Sequence, residues 1–486
     1  MPATKLILPI LAIASLTAGS GEAPSDGPSP ASSELRLSPC RVPDVEEELR
    51  CGVYHVQENR TAPSGRTLPL KVIVLPARSA RPLNDPVFYF EGGPGEAATA
   101  SADYVAGLSI REHRDVVLID QRGTGEGHRL DCTLEGSDSD LQGYLNSRVP
   151  ALQRCARDLS ARADLTQYVT PIAMEDIDEV RRALGYDSIN VYGGSYGSRA
   201  AMIYTRMFGA HVRSAYLSGL VPLAARMPLY FAWSAQRAMD KKLEECARDR
   251  ACASQYPDPL QDLAIVQRNL AERPARVRIS HPVTREPVEV LLTGQAFAVG
   301  LLRQLYTAEE PATLPALFRR ARQGDFTAFV EGAIERERAQ RSTTAYGLHR
   351  TIVCNEDTSQ IRPEQVERET AGTFLGSSLV REAFEICSAW PRAELPEDYF
   401  EPFETAVPAL MTSGEYDPVT PPRWGEEARR SFPDSIHIVL RQGHHFDESS
   451  SPCLNDIMRQ FLATAAIDRV DIGCARRGED GLTVNP

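Results

Sequence analysis

The sequence predicts an α/β architecture: a mostly parallel sheet with helices on both faces and a large, mainly helical cap insertion. Three observations carry that expectation. Continuous apolar runs of strand length recur with helical stretches between them, at Leu70 to Leu75, Val87 to Phe90, Val116 to Ile119, Ile189 to Tyr192, Ala215 to Leu217, Ala409 to Thr412 and Ile436 to Leu440. Runs without polar alternation belong to a sheet covered on both sides. From about residue 222 to 400 the pattern turns helical, with stretches at Ala232 to Arg248, Leu260 to Glu272, Gln295 to Tyr306 and Ser378 to Trp390. Finally, the run at Ile189 passes through a glycine-rich turn straight into another helical stretch.

Taken in order, the chain opens with Lys5, an apolar run from Leu6 to Leu16 and small residues up to Ser20. That layout is a signal peptide over 1–20, too short to span a bilayer. No cysteine follows closely enough for lipidation, so the expected product is exported and released, periplasmic or extracellular. Residues 21–38, rich in Pro, Ser, Gly and Glu, form a flexible lead-in. The first part of the core is assigned to 39–221, the cap to 222–400 and the second part of the core to 401–476. Within the cap, Arg276 to Ser280 and Pro287 to Leu291 alternate with period two and are expected to pair as a hairpin.

A balance of 53 basic against 66 acidic side chains, net −13, argues against nucleic acid as a partner, because phosphate binding needs a basic surface. Ten cysteines in an exported chain point to disulfides rather than a metal or redox centre, since no C-x-x-C pair occurs. Connectivity is open from sequence alone. The simplest assignment pairs neighbours: Cys40 with Cys51, Cys132 with Cys155, Cys246 with Cys252, Cys354 with Cys387, Cys453 with Cys474.

The chemistry centres on Gly193-Gly194-Ser195-Tyr196-Gly197. A serine on so tight a strand-to-helix turn needs flanking glycines, and the turn lifts its hydroxyl off the sheet while the next helix aims its positive end at it. The preceding stretch, Met174 to Leu184, reads as an amphipathic helix with acid in its first turn, stopped by Gly185. Such a serine needs a base and a group to orient that base. Asp417 follows the strand at Ala409, with Glu415 as the nearest substitute. His444 follows the strand at Ile436 and is preferred because it comes directly after Gly443; His445 is the fallback. The order Ser195, Asp417, His444 is that of the α/β-hydrolase fold. The strand at Val87 runs into Glu91-Gly92-Gly93-Pro94-Gly95, so the N–H groups of Gly93 and Tyr196 are the expected oxyanion hole.

With these pieces in hand, the chain resembles the proline iminopeptidase and tripeptidyl aminopeptidase group. The resemblance is carried by Glu91 to Gly95, Asp120-Gln121-Arg122-Gly123-Thr124-Gly125, Gly193 to Gly197, Asp417-Pro418-Val419-Thr420-Pro421, and Gly443-His444 followed by Cys453. The start Cys40-Arg41-Val42-Pro43 looks like the secreted branch. One departure is Glu91, where the family more usually has His, Asn or Pro. The resemblance implies that the Asp-Gln-Arg-Gly segment shapes the loop beside the oxyanion site, with Asp120 and Arg122 structural and paired. An aminopeptidase also needs carboxylates for the substrate ammonium, and Glu356, with Glu91 second, is the expected group. The resulting expectation is a serine exopeptidase acting on short peptides through an acyl-enzyme, with no metal or organic cofactor and no membrane partner. Fold and triad do not fix the leaving group. The alternatives are an esterase acting on small acyl esters and a non-catalytic binding protein on the same scaffold.

Overall fold

A computed structural model describes residues 35–62, 64–306, 310, 312–445 and 451–485. The signal peptide and most of the lead-in fall outside the described residues. Twelve strands are β1 (Ser38–Cys40), β2 (Leu49–Gln57), β3 (Thr67–Leu75), β4 (Leu83–Phe90), β5 (Arg114–Ile119), β6 (Ile189–Gly194), β7 (Val212–Ser218), β8 (Ala275–Ser280), β9 (Pro287–Leu292), β10 (Ala409–Gly414), β11 (Ser435–Leu440) and β12 (Leu482–Asn485). Ten of them form one sheet in the order β1-β2-β3-β5-β4-β6-β7-β10-β11-β12. The centre, from β5 to β11, is parallel; the margins β1, β2, β3 and β12 are antiparallel.

Alternate residues of the apolar strands enter two different cores, the behaviour expected of a doubly covered sheet. Val72, Val74, Phe88, Val117, Val191 and Met411 pack on one face. The helices Val149–Ser160, Thr170–Ala183 and Tyr196–Phe208 bury Leu152, Ile177 and Tyr204 there. Ile73, Leu75, Val116, Leu118 and Leu410 enter the other face, against Ile457 and Phe461 of the helix Pro452–Thr464. The seven expected strands all lie within observed ones. The helix before the elbow begins at Thr170, with Pro171 at its start, so no acid occupies its first turn. It does stop where expected, at Gly185 with φ 77°, a left-handed position that glycine fills without strain.

The stretch 222–400 holds the helices Phe231–Arg248, Pro259–Glu272, Gly294–Gln304, Thr313–Arg322, Thr327–Thr343, Tyr346–Ile352, Pro363–Thr370 and Ser378–Cys387, with β8 and β9 paired antiparallel. Its apolar faces share a cluster that includes Met239, Leu263, Phe297, Leu301, Phe318 and Val330. All five neighbouring cysteine pairs are bonded. Among the described residues no helix is long and apolar enough to cross a membrane.

After β4 the chain turns to β5 on one side and later to β6 on the other. A crevice at the carboxyl ends of such diverging parallel strands is where open α/β sheets bind ligands.

Candidate active site

Ser195 sits between β6 and the helix Tyr196–Phe208 at φ 53°, ψ −127°. That conformation is unfavourable for a residue with a Cβ and is characteristic of functional turns. It is held by the Ser195 N–H, which donates to Ser218 O at 3.0 Å, and by the Ser198 hydroxyl, which donates to Ser195 O at 2.6 Å. The glycines are obligatory for packing. A Cβ on Gly193 would lie 2.1 Å from Gly197 O, and one on Gly197 would lie 2.0 Å from Phe90 O. The strand, the turn and the end of β4 therefore touch backbone to backbone.

The glycine run after β4 passes over the serine: a Cβ on Gly92 would lie 3.5 Å from that of Ser195. Gly93 is exposed, at φ 106°, and lines the same cavity as Ser195. Tyr196 opens its helix, so its N–H belongs to the first turn, whose amides lack intrahelical acceptors. The Tyr196 phenol points elsewhere, into a buried contact with Thr170 Oγ1 at 2.8 Å.

Asp417 follows β10 and is almost wholly buried. One carboxylate oxygen accepts the N–H groups of Val419 and Thr420 at 2.8 and 2.7 Å, while the other accepts the Thr420 hydroxyl. That second oxygen also lies 2.6 Å from Nδ1 of His445. Burial alone would raise this carboxyl, but the His445 imidazole and the hydrogen bonds from His445 and Thr420 hold it below the usual carboxylate range. An ionised Asp417 makes Nδ1 of His445 the donor, which leaves Nε2 with its lone pair. The His445 ring packs edge-on to Tyr306, centroids 5.3 Å apart. It also lies against Gly219, whose Cβ would be 3.5 Å from its Cε1. Gly219 directly follows Ser218, the residue that receives the Ser195 N–H.

The imidazole on Asp417 thus belongs to His445, a correction to the preference for His444. His444 is buried, with Nδ1 donating to Leu305 O at 3.0 Å and its ring edge-on to Tyr416. The left-handed residue of the turn is Gln442, at φ 59°, rather than Gly443. The carbonyl of His444 is pressed on Gly414, where a Cβ would come within 2.2 Å of it. With residue 444 pinned to the end of β10, the loop delivers the following residue to Asp417. Glu415, the alternative acid, instead bonds Lys241 and the N–H of Gln442.

Neither carboxylate expected at the substrate ammonium lines the cavity. Glu356 is buried beneath the elbow helix, accepting from Thr170 N at 2.6 Å, Thr170 Oγ1 at 2.8 Å and Tyr399 Oη at 2.5 Å. Held by three donors and away from the cavity lining, it braces the elbow instead of facing substrate. Glu91 accepts from the N–H of Gly92 and from Ser101, holding the glycine run in place. Asp120 and Arg122 are structural but not paired with each other. Asp120 accepts from Thr99, whereas the buried Arg122 grips Asp176 at 2.6 and 2.8 Å.

The cavity measures about 270 Å³ and is lined at its floor by Gly93, Ser195, Val419 and Thr420. Sequence reasoning passed over Thr420, although Asp followed at the third position by Thr is the signal of a side chain that caps its own turn. It also missed His349, which lines the wall with Nδ1 donating to Pro94 O at 3.0 Å. Burial and the nearby Arg350 pull the His349 imidazole down to about 3, so it stays neutral. No periodicity marks a helix residue that faces a cavity instead of a core. Among the described residues no cluster of His, Cys, Asp and Glu fits a metal ion.

Residues 85–256 match the family described as alpha/beta hydrolase fold, and residues 372–474 match that described as TAP-like protein. The chain is 22% identical over 478 residues to the serine protease Hip1 of Mycobacterium tuberculosis, covering 88% of each. It is 20% identical over 470 residues to a tripeptidyl aminopeptidase of Streptomyces lividans, covering 89% of this chain and 84% of that protein. A shorter match, 26% over 142 residues, relates 29% of the chain to 34% of a proline iminopeptidase of Neisseria gonorrhoeae.

Proposed function

We propose that this chain, which has the α/β-hydrolase fold and a segment matching the TAP-like family, is a peptidase-type hydrolase and within that class an exported serine exopeptidase releasing an N-terminal proline or short peptide. In this reading His445 Nε2 takes the proton of Ser195 as the hydroxyl attacks the scissile carbonyl. Asp417 holds the imidazole in the required tautomer and balances its charge. The N–H groups of Gly93 and Tyr196 stabilise the oxyanion, and His445 then protonates the leaving amine. Water, activated by the same imidazole, releases the acyl-enzyme. The observation that carries the reading is the 2.6 Å contact between Asp417 and His445, whose ring lies against Gly219, the residue after the acceptor of the Ser195 N–H.

Export is supported by the five disulfides, which persist in oxidising compartments. For the substrate ammonium the candidate acid is Glu382, which lines the cavity, accepts from Ser147 at 2.7 Å and forms no ion pair among the described residues, while Arg148 and Arg350 compete for its charge. Hydrolysis of tripeptidyl and prolyl anilides, compared with nitrophenyl acetate, tests the proposal. Cleavage of the anilides, lost in Ser195→Ala, is the expected result; activity confined to the ester would mark an esterase. Glu382→Gln should abolish any preference for free over N-acetylated peptides, and an unchanged preference would remove Glu382 from that role.

A further inference from the structure

Away from the serine, the cavity has a wall of opposite character to an ammonium site. Guanidinium groups reach it from four separate helices or their caps: Arg148 before Val149–Ser160, Arg303 on Gly294–Gln304, Arg336 on Thr327–Thr343 and Arg350 on Tyr346–Ile352. With Arg226, five guanidinium groups line the cavity against two carboxylates, Glu337 and Glu382. Glu337 is already engaged, accepting from Arg148 and, at 2.7 Å, from Arg341. Glu382 is held by Ser147. Arg303 makes a cation–π contact with Tyr306, and neither it nor Arg350 forms an ion pair among the described residues.

Arg350 is the informative group, because its Nε is buried and has no hydrogen-bond partner among the described residues. A buried donor left unmade on a charged group is costly. Burial and the neighbouring Arg148 and Arg303 pull this guanidinium down to about 10 against the opposing influence of Tyr346 and Glu382, so it remains charged at neutral pH. A wall with five guanidinium groups against two carboxylates, with one donor left open, is complementary to a further anion. Planar guanidinium forks match a carboxylate in both geometry and sign.

We propose that Arg303 and Arg350 form a carboxylate-binding subsite in the cavity that holds Ser195. The preferred substrates are then peptides bearing a carboxylate within a few residues of the scissile bond, at the C-terminus of a short peptide or on an Asp or Glu side chain. This substrate class rests on the peptidase reading above.

Binding to the Ser195→Ala protein, measured by calorimetry, tests the subsite without relying on turnover. Two probe pairs separate the sources of the carboxylate: tetra-alanine with a free C-terminus against its amide, and Ala-Ala-Glu-Ala-amide against Ala-Ala-Gln-Ala-amide. One acid or the other should bind about ten-fold tighter than its neutral partner, the size of a charge-assisted contact. Arg350→Met and, independently, Arg303→Met should bring that ratio close to one. Arg276→Met, on the exposed hairpin, should leave it unchanged. Equal binding of acid and neutral forms in both pairs, or no binding of any of them, overturns the subsite even if anilides are cleaved. Tighter binding of an acid by a protein that cleaves no anilide would overturn the peptidase reading and leave the subsite standing.

Discussion

Asp417 accepts four hydrogen bonds in a site from which water is excluded, so both its charge and its direction are set before substrate arrives. Asp417→Asn keeps the shape but lets the amide donate toward Nδ1, favouring the wrong tautomer of His445. The expected loss in kcat is about 10³- to 10⁴-fold with little change in KM, measured on an anilide. The same residue has a signature in stability. Its carboxyl is held below the usual range in the fold, so it stabilises the protein at neutral pH. That contribution fades as pH falls below about 4 and through the lower folded value. Asp417→Asn should flatten the acid limb of unfolding free energy against pH; an unchanged limb would contradict the assigned hydrogen bonding.

At the scale of elements, the elbow works because three backbones meet without side chains. Gly197→Ala places a methyl into Phe90 O and must separate β4 from the elbow helix. A loss of about 2–3 kcal/mol in denaturant unfolding is expected, together with loss of activity. Below that helix, Glu356 bridges Thr170 and Tyr399. Glu356→Gln turns an N–H group toward donors and should cost about 1–3 kcal/mol while leaving the ratio of free to N-acetylated peptide hydrolysis unchanged. A shifted ratio would restore Glu356 to the substrate. Buried strands with unbroken apolar runs, such as Val116 to Ile119, were legible because nothing else explains them. The marginal strand β2 was not: Leu49–Gln57 mixes Arg50, Gly52, His55 and Gln57 with apolar residues, as a strand half open to solvent allows. In the candidate site, Ser195 and Asp417 stand at strand ends as expected, whereas the imidazole on Asp417 is that of His445 and neither Glu356 nor Glu91 lines the cavity. Which of two adjacent histidines meets Asp417 depends on where the turn takes its left-handed residue, and Gln442 gives no sign of that in sequence.

For the molecule as a whole, five local disulfides fasten neighbouring segments without linking distant parts of the chain. The widest, Cys354–Cys387, closes a separation of 33 residues beside Glu356. Removing it with paired Cys→Ala changes should lower stability by about 2–4 kcal/mol, read from denaturant midpoints. The proposed catalysis, by contrast, joins residues that lie far apart in sequence: Ser195 after β6, Asp417 after β10 and an imidazole after β11. The most direct test of that convergence is the rate at which a fluorophosphonate labels Ser195 in His445→Ala and His444→Ala. Labelling should fall by about 10³-fold or more in the first and by less than about ten-fold in the second. Rapid labelling of His445→Ala, with loss in His444→Ala, would contradict that convergence.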